Sequence, residues 1–335
     1  MKAIILRQIG GPENLKAEII PDPQPGPNEV IVALKAAALN RRDIWIRQGK
    51  YANIKLPIVL GSDGAGEVVE LGTGVPQELK GQQVVIYPAL NWGDDPNVFG
   101  ADFKILGLPD NGTYAERVKV PVRNVFAKPA SLSFEQAAAL PLAGLTAYRA
   151  LITRGQLVGS ETVLITGIGG GVACCALQLA ISLQAKVLVT SSSDSKLERA
   201  MNLGAAGGAN YNDPNWTQEI MRLCDGVGPD IVLDGAGGSS FEKALEITRP
   251  GGKVISYGAT TGAANQVEVR RIFWKQLNVL GSTMGTAEEF QAMLSLVDRH
   301  GLIPVIDQIL PLDQAADAHR RVERTEQFGK IVLQI

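Results

Sequence analysis

Gly167, Gly169, Gly170 and Gly171 are spaced closely enough to fold the backbone tightly and leave room beside it for a ligand. They follow the apolar run ETVLIT and precede VACCALQLAISL, a helical pattern that Val172 opens. A strand, a glycine turn and a helix in that order bring main-chain amides and the positive end of the helix up to a phosphate. These four glycines and Val172 are therefore candidates to hold a dinucleotide pyrophosphate. Ala173 stands where the last glycine of such a turn is expected, and a plain tight turn is the competing reading. The next apolar run, KVLVT, ends on Ser191, Ser192 and Ser193. A carboxylate there would accept hydrogen bonds from a ribose diol, whereas serine hydroxyls and the nearby Lys196 suit a 2′-phosphate. The cofactor expected is NADP(H), with Asp194 as the dissenting neighbour and a solvated helix position as the plain account of Lys196.

Scarcity excludes other chemistry. The 335 residues hold three cysteines and two histidines, too few for a disulfide framework or an ordinary zinc site. Cys174 and Cys175 lie in an apolar helical stretch and read as small buried thiols; His300 and His319 are flanked by surface-like sequence. A net charge of −2, with lysines and arginines scattered singly, leaves no basic stripe for nucleic acid. No apolar run reaches the roughly 20 residues of a membrane span, and MKAIILRQIGGPENL turns polar too soon for a signal peptide. A cytoplasmic protein is expected.

The elements that must carry these residues change texture along the chain. Up to about residue 125, short strands such as EVIVALKAAAL and QQVVIYPAL are broken by glycine and proline. From about residue 130, helical periods alternate with buried strands, which implies crossovers and a parallel sheet. The closing strand KIVLQI needs a sheet to join, and the simplest arrangement inserts the α/β part into the β-rich one. The expected domains are 1–128 with 265–335, and 129–264.

Together, ALNRRDIWIRQGKY, LPIVLGSDGAGEVVELG, ALPLAGLTAYRAL, TGIGGGVA and GKIVL resemble a medium-chain dehydrogenase/reductase across essentially the whole chain. The resemblance implies an α/β fold: a GroES-like catalytic domain and an inserted Rossmann domain, a doubly wound parallel sheet, usually in a homodimer or homotetramer. Zinc-dependent members hold their catalytic metal with a cysteine, a histidine and a cysteine, which here match Asn40, Ser62 and Leu142. The four cysteines of their structural zinc are missing from the segment NWGDDPNVFGADFKILG. No zinc is expected.

Among zinc-free members, the quinone oxidoreductases are the closest in motif. They place an asparagine and a tyrosine beside the nicotinamide, and the matching residues are Asn40 and Tyr51. Against this, Asn40 could cap the helix RRDIWIRQG and Tyr51 could pack on a turn. Arg41 is a candidate for the pyrophosphate and Asp43 for holding the loop; Asp63, beside the lost metal, should be paired elsewhere or protonated. Thr146, Tyr211, Gly258 and Ser282 are further cofactor contacts implied by the resemblance, with helix packing for Thr146 and an ordinary strand aromatic for Tyr211 as alternatives. Lys330 is expected either at a phosphate or as a strand-edge lysine. Without a Lewis acid, hydride transfer is easiest to an acceptor that delocalises charge, a quinone or an enone. The expected activity is NADPH-dependent reduction of such electrophiles. An alkenal or enoyl reductase, a zinc-free alcohol dehydrogenase-like enzyme and a non-catalytic NADPH-binding sensor are the alternatives.

Overall fold

The computed structural model describes residues 1–335 and divides them into two compact units, residues 1–145 with 285–335, and residues 146–284. In the first unit, β1 (Lys2–Leu6), β2 (Leu15–Ile19) and β4 (Ile58–Val59) form a small sheet in the order β2-β1-β4. A seven-stranded sheet is built from β3 (Glu29–Ala38), β5 (Asp63–Leu71), β6 (Gln83–Ile86), β9 (Arg117–Pro121), β10 (Val125–Ala127), β17 (Ile306–Pro311) and β18 (Lys330–Gln334). The apolar positions of β3 alternate, so Val30, Val32 and Leu34 meet Val68, Val84 and Val118 in one core cluster. β18 runs antiparallel to β3, with Val332 opposite Ala38 and Gln334 opposite Ala36. The last strand thus joins a sheet whose first strand in chain order is β3.

Helix α1 (Arg41–Arg47) leaves the end of β3, and α2 (Phe134–Ala138) packs on β3 and β5. Ser133 and Gln136 cap α2 reciprocally, and Thr286 and Glu289 do the same for α9 (Ala287–His300). α10 (Ala315–Glu323) turns Ala315, Ala318 and Val322 into the core. That face also carries His319, fully buried rather than at the surface. Its Nδ1 accepts from Arg47 Nε at 3.3 Å, and burial and the Arg47 charge push it down to about 3. The segment from β7 (Ala89–Leu90) to β8 (Lys104–Ile105) is held by aromatic rings, with Phe99 stacked on Phe103 at 4.6 Å and Trp92 edge-on to both. Asp95 is used within it, accepting from Asn97 N at 2.8 Å.

The second unit is a six-stranded parallel sheet. Its strands are β11 (Thr162–Ile165), β12 (Lys186–Ser191), β13 (Gly207–Asn210), β14 (Ile231–Asp234), β15 (Lys253–Ser256) and β16 (Asn278–Gly281), ordered β13-β12-β11-β14-β15-β16. Numbered within the unit this is 3-2-1-4-5-6, the doubly wound order whose direction reverses between β11 and β14. Leu164, Leu188, Val232 and Val254, one from each of four strands, share a core cluster. Helix α4 (Gly171–Ser182) is apolar nearly all round and buries both Cys174 and Cys175. Burial pushes the Cys174 thiol up to about 12, so it stays protonated.

The unit boundaries fall later than the expected 128/129 and 264/265. α2 belongs with the antiparallel strands it packs on, and β16 belongs with the parallel sheet through its pairing to β15. No helix is long and apolar enough to cross a membrane.

Candidate active site

In the parallel unit, ligands are expected at the carboxyl ends of β11 and β14, where strand order reverses. Gly167 and Gly169 adopt φ of 65° and 123°, and Gly170 caps α4. A Cβ built on Gly167 or Gly170 meets nothing within 4 Å. The left-handed backbone accounts for glycine at 167, but at Gly170, with φ of −76°, neither backbone nor packing demands one, whereas a ligand lying on the backbone would. The turn is pinned from its neighbours, with Gly167 N–H donating to Thr190 Oγ1 at 3.1 Å and Ile168 N–H to the Thr190 carbonyl at 2.7 Å. Asp234, fully buried at the end of β14, accepts from Thr166 Oγ1 at 2.7 Å, Ser240 Oγ at 2.8 Å and Gly237 N at 2.8 Å. It ties together three segments at the switch point, and the sequence reading missed it. Its signal was a carboxylate closing an apolar strand immediately before a glycine.

At the end of β12, Ser191 is buried and its carbonyl receives Tyr211 N–H at 2.9 Å, so the serine tip and Tyr211 lie on neighbouring strand ends. Ser192 is exposed, and Ser193 caps α5 (Asp194–Asn202) through Lys196 N–H. The Asp194 carboxylate is engaged by Asn210 Nδ2 at 2.7 Å, which addresses the one acid near the serines. Tyr211 is 45% exposed, its ring free to cover a ligand. Gly258 follows β15, and Ser282 follows β16 with its N–H on the Ser256 carbonyl at 2.9 Å. The Ser282 hydroxyl is buried without a partner in the protein. Thr146 is buried on α3 (Pro141–Tyr148).

In the other unit, Asn40 occupies the cap position of α1 with extended backbone, but its side chain is turned into a network. Asn40 Nδ2 donates to Asp63 Oδ2 at 2.9 Å, and Lys330 Nζ donates to Asn40 Oδ1 at 2.7 Å, Asp63 Oδ2 at 2.8 Å and the Leu39 carbonyl at 2.6 Å. Leu142 N–H fills Asp63 Oδ1 at 2.8 Å. Asp63 is thus paired, as its buried charge requires. Lys330 is corrected from both of its expected roles. It is neither at a phosphate nor at a solvated strand edge, because its three hydrogens are taken by acceptors inside the unit.

Asp43, fully buried, accepts from Asn40 N at 2.8 Å and Tyr114 OH at 2.9 Å; burial pushes its carboxyl up, against the Arg42 charge. Arg42, which the sequence reading passed over as one of a doubled pair, donates to Ser62 Oγ at 2.7 Å and the Leu106 carbonyl at 2.9 Å. Its guanidinium lies 5.1 Å from the centre of the Tyr51 ring. Tyr51 is half-buried against the core, and its hydroxyl makes no hydrogen bond within the protein. Arg41 has no hydrogen-bonded acceptor; burial pushes its pKa down, and Glu323 partly offsets this.

Residues 26–130 match the family model of the alcohol dehydrogenase GroES-like domain, and residues 171–299 that of a zinc-binding dehydrogenase. A zinc-type alcohol dehydrogenase-like protein, YogA, of Leptosphaeria maculans is 35% identical over 96% of this chain and 94% of its own length. The chain belongs to the medium-chain dehydrogenase/reductase superfamily. This dehydrogenase/reductase is also 32% identical to a quinone oxidoreductase of Pseudomonas aeruginosa, over 99% of both chains. A crystal structure of an NAD-dependent alcohol dehydrogenase superposes on it with a TM-score of 0.95 at 41% identity, covering 100% of each. It is an oxidoreductase with that superfamily's GroES-like and Rossmann-like parts. The residues that the resemblance sets at the catalytic zinc-ligand positions, however, are Asn40, Ser62 and Leu142. They supply no thiolate and no imidazole, the Lys330 ammonium lies against Asn40 Oδ1 and the neighbouring Asp63 carboxylate, and Ser62 Oγ is bonded to Arg42 and the Leu106 carbonyl. This donor set does not fit a zinc ion.

Proposed function

We propose that the protein is an NADPH-dependent oxidoreductase that passes hydride directly to a quinone or another activated carbonyl acceptor without zinc. The observation that carries the reading is the Lys330–Asp63–Asn40 network at the place where zinc-dependent members bind metal. An acceptor there meets an amide and not a Lewis acid, which favours substrates whose developing negative charge is delocalised. Bound NADPH would supply the hydride, and solvent the proton that completes the hydroquinone.

The chain's own residues bind and orient. The turn from Gly167 to Val172 and the first amides of α4 take the pyrophosphate. Ser191, Ser192, Ser193 and Lys196 take the 2′-phosphate, and Tyr211 covers the adenine. Thr146, Gly258 and the Ser282 hydroxyl serve the nicotinamide end. Asn40 and Tyr51 donate to the acceptor oxygen as charge builds there.

The open edge of β16 also supports a homodimer, or a tetramer made of such dimers. That edge has no neighbour in the sheet, and in the helix Val269–Trp274 that precedes the strand, Val269, Phe273 and Trp274 are 61%, 63% and 83% exposed. An unpaired strand flanked by apolar side chains is self-complementary across a two-fold axis.

The test is oxidation of NADPH and of NADH by chelator-treated protein against a panel of quinones and alkenals. Turnover of quinones with NADPH preferred is expected. Activity that needs added zinc, or that appears only with alkenals or only with NADH, replaces the reading; cofactor binding with no turnover points to a sensor.

A further inference from the structure

The Lys330–Asp63 ion pair spans 2.8 Å with side chains only 4% and 0% exposed. Desolvation offsets most of what such a pair contributes to stability, so stability alone is a weak account of it. Its geometry offers a better one. Lys330 donates to Asn40 Oδ1, Asn40 Nδ2 donates to Asp63 Oδ2, and Lys330 donates to that same oxygen. The three groups close a ring of hydrogen bonds. An asparagine amide turned by half a revolution would set its NH2 against the ammonium and its oxygen against the carboxylate, so only one orientation is compatible with the ring. In that orientation one Nδ2 hydrogen is spent on Asp63 and the second has no partner in the protein.

We propose that Lys330 is a positioning residue for the reaction: its ammonium locks the Asn40 amide in a single orientation and offsets the Asp63 charge, so that the second Nδ2 hydrogen is a fixed donor to the acceptor oxygen. The inference rests on the reading of Asn40 as the oxyanion donor. In this chain the cation beside the reacting atoms is built in as a side chain. Asp63, whose negative charge would oppose a developing oxyanion, is neutralised by the same group that orients the donor.

The experiment compares Lys330→Met, Lys330→Arg, Asn40→Ala, the double variant Lys330→Met/Asn40→Ala, and Lys330→Met/Asp63→Asn, which removes both buried charges should the single change fail to fold. Lys330→Met and Asn40→Ala are each expected to lower kcat about 100-fold, the size of one lost oxyanion donor. Their combination is expected to do no worse than either alone, because both remove one interaction. Lys330→Arg restores part of the rate. NADPH affinity, measured by fluorescence titration, stays within about twofold throughout, as for an interaction made only in the transition state.

A side-chain amide spectrum supplies a readout apart from turnover. The Asn40 NH2 pair, assigned by its loss in Asn40→Ala, is expected to be sharp and protected from exchange in the wild type, and averaged in Lys330→Met and Lys330→Met/Asp63→Asn. An unchanged Asn40 signal in those variants overturns the lock. NADPH affinity that collapses while kcat holds overturns it also, and returns Lys330 to a phosphate. If the wild type reduces none of the acceptors the proposed function fails, and the amide spectrum still decides whether Lys330 orients Asn40.

Discussion

Tyr51 presents a hydroxyl with no partner while its ring lies against Arg42, so the two parts of the side chain can be separated by substitution. Tyr51→Phe keeps the ring contact and removes only the donor. The expected result is unchanged thermal stability with kcat for quinone lowered about 100-fold; equal rates with every accepted substrate remove Tyr51 from the mechanism. Lys196→Ala is expected to weaken NADPH about tenfold and leave NADH unchanged, the loss of one charged contact to a phosphate. Equal weakening of both cofactors sinks the 2′-phosphate assignment. The residues behind these two predictions were readable because their signals are local: three serines close one strand, and Tyr51 sits in a continuous motif. The partner of Asp63 was not. Lys330 lies 267 residues away, and nothing near either residue states that the two meet. Its position at the start of a strand suggests an edge lysine until β18 is set between β3 and β17, where the lysine is buried.

The glycine turn before α4 tests the cofactor site at the scale of an element. Gly170 has φ of −76°, which any residue adopts, and its missing Cβ faces open space. Gly170→Ala is therefore expected to change stability by only roughly 0.5 kcal/mol. The added methyl group stands where the pyrophosphate would rest, so the dissociation constant for NADPH should rise about tenfold. If the affinity is intact, the phosphate is not on this turn. Strand-turn-helix order was legible here because glycine spacing and apolar periodicity are properties of a short window. The unit boundaries were less so. β16 reads NVLG, with three of its four residues exposed, so it lacks the apolar run that marks the inner parallel strands, and only pairing to β15 identifies it.

Across the whole molecule, two predictions follow from groups set far from the cofactor. His319 is held neutral down to about pH 3 by burial and Arg47, whereas an unfolded histidine protonates near 6.5. Between those values the unfolded chain binds more protons. The histidine's contribution is therefore complete above pH 6.5 and lost as pH falls toward 3, at a slope approaching roughly 1.4 kcal/mol per pH unit. Asp43, shifted upward, works in the opposite sense, so the informative quantity is a difference. The melting temperature of His319→Gln, which keeps an acceptor for Arg47, should fall less steeply than the wild type from pH 6.5 to pH 4.5; parallel curves remove His319 as the cause. If the proposed dimer forms through β16, Trp274→Glu, on the exposed end of the helix before that strand, should convert it to monomers in light scattering with its fold intact. An unchanged oligomeric mass places the interface elsewhere, and a monomeric wild type removes it.

The return of β18 to β3 bears on the order in which the chain can be completed. The bond from Lys330 to the Leu39 carbonyl joins residues 291 positions apart, while the parallel unit is one uninterrupted stretch, residues 146–284. During synthesis the dinucleotide half has all its strands while the other half still lacks β17 and β18, two strands of its larger sheet. The nascent protein is thus expected to acquire protected amides in β11 to β15 before β18 pairs with Ala36–Ala38 of β3, and to be able to hold its nucleotide before Asn40 has received the lysine that orients it.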